Sequence, residues 1–343
     1  MQKKIKSIQS IRFIAFLIIF FHHANGIINL SFSYLVDSAV EYFFILSGFL
    51  MVYNHWDEFD KKISIKEQCS FAFSRIKKFY FVFIIAFFIK APITIYKYWL
   101  EFGGSNFYFY SNLIIKALFS LALIQSFIPN ENYYFAFNGV AWFLDDIVFF
   151  YVLTPRIINF FKNKNIKFSI IIVIILKCLI RFFACKYYVD NTWLTYISPF
   201  YRIFDYIFGC LISFLFIKDN RRTNERKATV MEILIVGILL VLAYSNILKV
   251  DVINMLVVGI LIYIFAKEEG KISKGLNNTK LEKLGNISME MFMLHQPIIK
   301  YFEFALKNQE SIYLKLIFII LSFILTWILA QTINKIRKGK SKK

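Results

Sequence analysis

The chain has 343 residues, of which 58% are hydrophobic, 20% aromatic and 18% charged, and its formal net charge is +19. Apolar residues this numerous, arranged in long runs, exceed what a soluble core can bury and predict a polytopic membrane protein. The basic residues lie mainly between the apolar runs and no nucleic-acid-binding motif is present, so the charge indicates membrane topology and argues against a nucleic-acid partner.

The apolar runs predict an all-α, polytopic membrane helical bundle with about ten transmembrane helices. They cover residues 11–29, 38–54, 79–98, 139–158, 168–185, 197–217, 229–247, 252–267, 285–305 and 311–333. With a cytoplasmic N-terminus, every basic cluster between the runs is also cytoplasmic, as the positive-inside rule requires. We therefore expect both termini to be cytoplasmic and residues 1–343 to form a single integral membrane domain, with a basic tail at 336–343.

The first span carries an arginine and a histidine pair. Residues 1–26 have the lysines and apolar stretch of a secretory signal, but the histidines interrupt that stretch and no small-residue cleavage site follows, which favours a retained span. Arg12 and His23 are eleven residues apart, about three helical turns, so they lie on nearly the same stripe at different depths. His22 points about 100° away. This pattern suits an anionic ligand at Arg12 and a general base at His23, although Arg12 is also typical of a topology anchor.

The second span and the loop after it add further candidates. The run "EYFFILSGFLM" opens with Glu41 and contains Ser47 beside a glycine that permits close helix approach. Before the third span, Arg75, Lys77 and Lys78 form the basic group best suited to a polyphosphate ligand. The same group is also typical of a positive-inside cluster.

A long outer segment, 99–138, contains the shorter apolar stretch 112–128. If this stretch crossed the membrane, all later basic clusters would lie outside, so we expect it not to cross. The segment is rich in Tyr, Phe, Asn and Gly, which is compatible with a lid over a site and also with a simple surface helix.

The later spans contain ionisable residues, which are costly in a bilayer and usually face a cavity or a partner. Among them are Asp145, Asp146, Lys177, Arg181, Arg202, Asp205, Glu290 and His295. The spacing of Arg202 and Asp205 fits an intrahelical ion pair, and we expect Lys177 and Arg181 to extend toward the membrane surface. His295 by itself is more typical of a hydrogen-bonded core histidine than of a catalyst. The four cysteines have no metal-ligand spacing, and we expect no metal.

Six segments, taken together and in order, resemble the acyltransferase-3 family of integral membrane O-acyltransferases. Arg12 and His23 are similar to its R-x10-H motif, and "EYFFILSGFLM" is similar to its FFxLSGF segment. "SRIKKFY", with Arg75 and Lys78, stands where the family has RxxR. "AWFLDDIVFFYVLTP", "YRIFDYIFGCLI" and "LGNISMEMFMLHQPII" resemble three later segments, and the resemblance covers residues 7–335.

The chain departs from the family pattern at two positions. Lys78 replaces the second arginine of RxxR, and Ile147 stands where many members carry a glutamate. Asp145 or Asp146 could take over the role of that glutamate, or the role is absent.

The resemblance implies transfer of an acyl group, usually acetyl, from cytoplasmic acyl-CoA to a hydroxyl of an envelope glycan or lipid-linked saccharide in a bacterial plasma membrane. It implies catalytic roles for His23, Arg12 and His295, and acetyl-CoA binding by Arg12, Arg75, Lys77 and Lys78. Residues with substrate-binding or structural polar roles would be Glu41, Ser47, Trp142, Asp145, Asp146, Tyr151, Arg202, Asp205 and Glu290. The expected partners are membrane lipid, the glycan acceptor and, as an option, a separate extracytoplasmic transferase.

Two other functions remain open at this point. A transporter or flippase of lipid-linked glycans would also have many spans with buried charges, but we find neither an internal repeat nor matched broken helices. A sensor or scaffold that lost its chemistry would agree with the two departures. The sequence does not distinguish direct transfer by His23 as general base from a relay through an acylated His23.

Overall fold

The computed structural model describes residues 3–28, 35–59, 63–187, 192–245, 251–306 and 311–340, and within these ranges it contains helices and no strand. The helices are α1 Lys6–His23, α2 Val36–His55, α3 Ile65–Glu101, α4 Phe107–Leu121, α5 Glu131–Tyr134, α6 Trp142–Lys162, α7 Ile166–Tyr187, α8 Pro199–Lys218, α9 Glu225–Tyr244, α10 Asp251–Ala266, α11 Lys271–Leu276, α12 Thr279–Asn286, α13 Ser288–Ala305 and α14 Ile312–Lys340. The prediction of an all-α polytopic bundle is confirmed.

Seven of the described helices are long and apolar enough to cross a membrane, namely α1, α2, α3, α7, α8, α9 and α14. The other three predicted spans correspond to α6, α10 and α13. Of these, α10 has only 16 residues, and α6 and α13 carry more polar and charged side chains. The count of ten spans therefore stays a prediction.

The start of α1 is fixed among short helices at one end of the bundle, which we call the N-terminal face. Lys4 Nζ donates to Glu282 Oε1 at 2.9 Å, and Ser10 Oγ donates to the Leu276 carbonyl at 2.5 Å. The hydrogen bond from Lys4 lowers the pKa of the Glu282 carboxyl. Because α1 starts here, its last residue, His23, lies toward the opposite face of the bundle.

The most extensive helix packing is between α2 and α8. A Cβ atom on Gly48 would lie 2.0 Å from the Tyr206 carbonyl oxygen, and one on Gly209 would lie 1.9 Å from the Ile45 carbonyl oxygen. Small residues at such positions let two backbones approach, which is the usual basis of tight helix pairs in membranes. This contact holds α2, with Glu41 and Ser47, in a fixed position against α8.

The outer segment forms α4, a 3-10 turn at Gln125–Phe127, and α5. The 15 residues of α4 rise about 22 Å, less than the ~30 Å of a hydrocarbon core. Phe137, near the end of the segment, stacks on Phe87 of α3 with ring centroids 4.3 Å apart. The segment thus returns to the helix from which it started.

Candidate functional site

His23 and His295 meet although 272 positions separate them. His295 Nε2 lies 3.0 Å from His23 Nδ1. Phe16 and Phe20 share the face of α1 that carries His23, because they precede it at helical spacings of seven and three residues. Both rings pack on the His295 imidazole, with centroids 5.7 and 6.2 Å away. This apolar packing fixes the imidazole that holds His23.

A proline on α13 shapes the backbone beside the histidine pair. Pro297 has no N–H, so the Met293 carbonyl four residues earlier loses its helical donor. Asn138 Nδ2 donates to that carbonyl at 2.9 Å instead. The bond ties the end of the outer segment to α13, two residues before His295.

The hydrogen bonds define which nitrogens carry protons. The Phe292 carbonyl can only accept, so His295 Nδ1 donates to it at 2.6 Å and the neutral ring keeps a lone pair on Nε2. His23 Nδ1 must then carry the proton that it shares between His295 Nε2 and the Ile19 carbonyl, 3.1 Å away. We assign these tautomers because each contact then has one donor and one acceptor. The assignment leaves the lone pair of His23 on Nε2, available as a base or nucleophile.

His23 lines a cavity of about 430 Å³, which we call the outer cavity. His22 lines it too, despite its different direction on α1. Its other polar and aromatic lining residues include Lys90, Lys97, Tyr98, Trp142, Tyr196, Gln296 and Lys300. The outer cavity therefore combines an imidazole, several cations and aromatic rings.

A second cavity, of about 340 Å³, lies toward the N-terminal face, and we call it the inner cavity. Arg12, Arg75 and Lys78 line it, together with Ser47 and Tyr151. The Nε atoms of both arginines are buried without a hydrogen-bond partner. Buried guanidinium donors without partners suit an anionic ligand.

The remaining basic candidate, Lys77, is not among the residues that line the inner cavity, and its side chain is exposed. Arg75 is held by neighbours: one of its terminal nitrogens lies 3.2 Å from His55 Nε2, and the other donates to the Phe71 carbonyl at 3.0 Å. The structure thus brings Arg12 of α1 together with Arg75 and Lys78 of α3.

A layer of three phenylalanine rings separates the two cavities. Phe43 and Phe143 line the inner cavity and Phe292 lines the outer one. The three ring-centroid distances are 5.5, 5.9 and 6.1 Å. Phe292 also lies 5.6 Å from the His295 ring, measured between centroids. We call these residues the phenylalanine layer.

Glu41, Arg202 and Asp205 belong to a buried ion network that lines neither cavity, although Arg202 contacts Tyr196 of the outer cavity. Arg202 donates to Asp205 at 3.1 Å, as the three-residue spacing predicts. Lys177 Nζ donates to Glu41 at 3.0 Å and also to Asp205. The expectation that Lys177 extends to the membrane surface is wrong, because two buried carboxylates hold its ammonium inside the bundle. These contacts join α2, α7 and α8.

The acidic candidates on α6 and α13 also lie outside the two cavities. Asp145 accepts a hydrogen bond from the Ser126 backbone at 3.0 Å, and Asp146 is fully buried next to it. Ile147, which stands where many family members carry a glutamate, does line the inner cavity. Neither aspartate lines the inner cavity beside Ile147. Glu290 accepts from Arg337 at 2.8 Å.

The outer cavity contains functional candidates that the sequence reading passed over. They are Lys90, Lys97 and Lys300, which belong to none of the motifs described in the sequence analysis. The sequence could have identified these lysines, because cations on the outer side or within spans are exceptions to the positive-inside pattern. The described residues hold no cluster of three or more His, Cys, Asp or Glu side chains arranged for a metal ion, and the expected absence of a metal stays a prediction.

Comparison with known proteins gives one match. A family model described as "Acyltransferase domain", that of acyltransferase family 3, matches residues 5–331. No curated protein and no solved structure matches the chain significantly.

Proposed function

Because this chain belongs to the acyltransferase-3 family of membrane acyltransferases, we propose that it transfers an acyl group, with acetyl the expected one, from cytoplasmic acyl-CoA to a hydroxyl of a cell-envelope glycan. The protein would act in a bacterial plasma membrane, with the N-terminal face in the cytoplasm. The observation that carries the proposal is the lone pair on His23 Nε2, in a cavity separated by the phenylalanine layer from a second, arginine-lined cavity.

The inner cavity supports binding of the acyl donor. Acyl-CoA is an anion because of its phosphates, and Arg12, Arg75 and Lys78 offer cations on the side where it is made. Guanidinium groups bind phosphate oxygens through a fixed fork of donors, whereas an ammonium contributes a point charge. The uncharged pantetheine arm would extend from this site toward the phenylalanine layer and His23.

The chemistry asked of His23 is modest, because a thioester needs only a nucleophile and a proton acceptor. In direct transfer, His23 Nε2 takes the proton of the acceptor hydroxyl while the hydroxyl oxygen bonds to the acyl carbon. The carbon–sulfur bond then breaks, and the CoA thiolate takes the proton from the imidazolium. In a relay, Nε2 itself bonds to the acyl carbon first, and the carbon–sulfur bond breaks to release the CoA thiolate. The acceptor oxygen then displaces the imidazole, and the proton of the acceptor hydroxyl passes through Nε2 to the thiolate. Both routes require the same lone pair, which the hydrogen bond to His295 keeps on Nε2.

The test uses purified protein in proteoliposomes with acetyl-CoA and an envelope-glycan extract, measuring CoA thiol release and acetyl ester formation. His23→Ala should lower kcat by about 10²- to 10⁴-fold, the usual contribution of general acid–base catalysis, with little change in KM for acetyl-CoA. Arg75→Gln with Lys78→Gln should instead raise that KM at least about tenfold with a smaller effect on kcat, the pattern of lost uniform binding.

The matched control neutralises two exposed lysines on the N-terminal face, Lys66→Gln with Lys164→Gln, and should leave both constants unchanged. Addition of labelled acetyl-CoA without acceptor, followed by acid quenching, separates the two routes, because only the relay leaves label on the protein. The proposal fails if folded wild-type protein forms no acyl ester, and transport of a lipid-linked glycan between leaflets would favour the flippase instead.

A further inference from the structure

We infer that the acceptor is anionic, and that the outer cavity binds a carboxylate or phosphate group carried near the hydroxyl that is acylated. The inference rests on the proposed function for the role of this ligand as acceptor. The binding of an anion in the outer cavity can be tested without any acyl transfer.

The cations of the outer cavity come from two helices. Lys90 and Lys97 are seven residues apart on α3, so they share one face at a separation of about 10 Å along the helix axis. Thr94, between them, lines the same cavity. Lys300 approaches from α13, five residues after His295. The positive charge thus extends along one wall of the cavity that holds His23.

These charges are not balanced within the cavity. No Asp or Glu is among the described residues that line it. Two acids lie nearby. Glu303 accepts from Lys300 at 2.5 Å and is packed against Gly26, and Asp37 interacts with His22 and Tyr196 on the α1 and Trp142 side, away from Lys90. Among the described residues, Lys300 forms this ion pair and neither Lys90 nor Lys97 forms one. The charged groups around Lys90 are Lys97, Lys300 and Glu303, which leaves the wall with net positive charge.

A neutral sugar would not require such a wall. Trp142 and Tyr196 supply rings for stacking, and Gln296 supplies an amide for hydroxyl groups. Lys90 is partly buried and is repelled by both Lys300 and the exposed Lys97, and a bound anion removes that cost. The lysines are also placed on the outer side, where the positive-inside pattern disfavours them.

The two cavities together strengthen the inference. In this protein a cavity lined by basic residues lies on each side of the phenylalanine layer, across which the two substrates would meet. The inner cations account for the phosphates of the donor, which leaves the outer lysines for an anion of the acceptor. That anion can be a carboxylate or phosphate on the sugar, or the diphosphate of a lipid carrier.

The experiment measures equilibrium binding to purified protein in detergent, without acyl-CoA. The first probe is a short galacturonate oligosaccharide, compared with its methyl ester, which has the same sugars and no charge. We expect the acid to bind at least about tenfold more tightly than the ester, and its affinity to fall several-fold when salt is raised from 0.05 to 0.5 M. A second arm compares the affinity of N-acetylglucosamine linked to farnesyl diphosphate with that of the same sugar linked to farnesol. If the affinities differ only within this second pair, the anion belongs to the lipid carrier and not to the sugar.

Lys90→Gln with Lys97→Gln should abolish the preference for the charged probe, and Lys90→Arg with Lys97→Arg should retain it within about threefold. The arginine variant also shows that the neutral variant loses affinity through charge and not through misfolding. Lys186→Gln removes an exposed lysine at the end of α7, which does not line the cavity, and should bind as the wild type does.

Equal affinity for charged and uncharged probes in both arms would overturn the inference, as would a preference that survives in the Lys90→Gln, Lys97→Gln variant. Failure of the proposed function is a separate result. If the protein binds the anion through these lysines but forms no acyl ester, the anion-binding site stands and only its role as the acceptor site is lost.

Discussion

In the proposed reaction the reactivity of His23 Nε2 depends on the proton bound to Nδ1 of the same ring. His295 accepts this proton's hydrogen bond through Nε2 and is itself fixed by the Phe292 carbonyl. We therefore propose that His295 acts on the reaction only through His23, as a positioning residue. The Ile19 carbonyl shares the proton, so His295 is not its only acceptor.

This arrangement predicts graded effects at position 295. His295→Leu should lower kcat by about 10- to 100-fold, less than His23→Ala, because the Ile19 carbonyl still favours the correct tautomer. His295→Gln should recover part of the loss, since its amide oxygen can reach the place of Nε2 and accept from His23. KM for acetyl-CoA should stay constant in both variants. The measurement is steady-state transfer at matched levels of folded protein, and equal losses in the two variants would contradict the positioning role.

The sequence identified Arg12, His23 and His295 as candidates, because ionisable residues are conspicuous in apolar runs. The sequence did not predict which side chains these residues contact. The pairing of His23 with His295 depends on α1 meeting α13, a contact that no spacing in the chain expresses. Lys177 illustrates the opposite error: a lysine in a span was expected to reach the surface, and only the positions of Glu41 and Asp205 on other helices explain its burial.

Among the helices, the α2–α8 pair positions much of the site. α2 carries Phe43 of the phenylalanine layer and Ser47 of the inner cavity. Apolar periodicity predicts both helices, yet it does not tell which helix each will contact. Gly48, the glycine of "SGF", indicated that another helix packs closely against α2, and Gly209 is the corresponding glycine on α8.

Substitution of these glycines should destabilise the helix pair. In Gly48→Ala or Gly209→Ala the new methyl would meet a backbone carbonyl, which cannot rotate away, so we expect a loss of about 1–3 kcal/mol, as for overpacked cores. Gly237→Ala on α9 is the matched control, since nothing lies within 4 Å of the added Cβ. That change should be neutral or stabilising by up to about 1 kcal/mol through helix propensity. Thermal unfolding in detergent provides the comparison, and three equal melting temperatures would exclude the close contact.

For the whole molecule, the predicted topology depends on the outer segment. Tyr98 before the segment and Phe137 near its end line the same outer cavity, so the chain leaves and returns on one side. The exposed side chains of Ile114 and Leu118 on α4 are typical of a lipid-facing helix. The apolar runs and the positions of the basic residues predict the same path, because both depend directly on the bilayer, and the membrane topology stays a prediction.

Site-directed labelling tests the topology. In a background with the four cysteines replaced by serine, Asn132→Cys should react with a membrane-impermeant maleimide added to intact cells, because it lies in the outer segment. Asn220→Cys, an exposed position after α8, should react only after the cells are opened. Labelling of position 220 from outside, or protection of position 132, would reverse the assignment of the two faces and remove the cytoplasmic donor site.

The phenylalanine layer has an electrical consequence. In the proposed arrangement a cavity lies on each side of these three rings, so a membrane voltage would fall mainly across the rings and not across the full bilayer thickness. In the proposed reaction the phosphates of CoA stay on one side of these rings. The acyl group crosses to the other side as an acylium equivalent, because the electron pair of the carbon–sulfur bond stays on sulfur. A proton, however, leaves the acceptor hydroxyl on the outer side and departs on the CoA thiol on the inner side. The inward proton offsets the outward acyl group, because the hydroxyl and its ester are both uncharged and the thioester and thiol of CoA carry the same charge. Each turnover therefore moves no net charge across the three rings, and we expect the transfer rate to be independent of the membrane voltage.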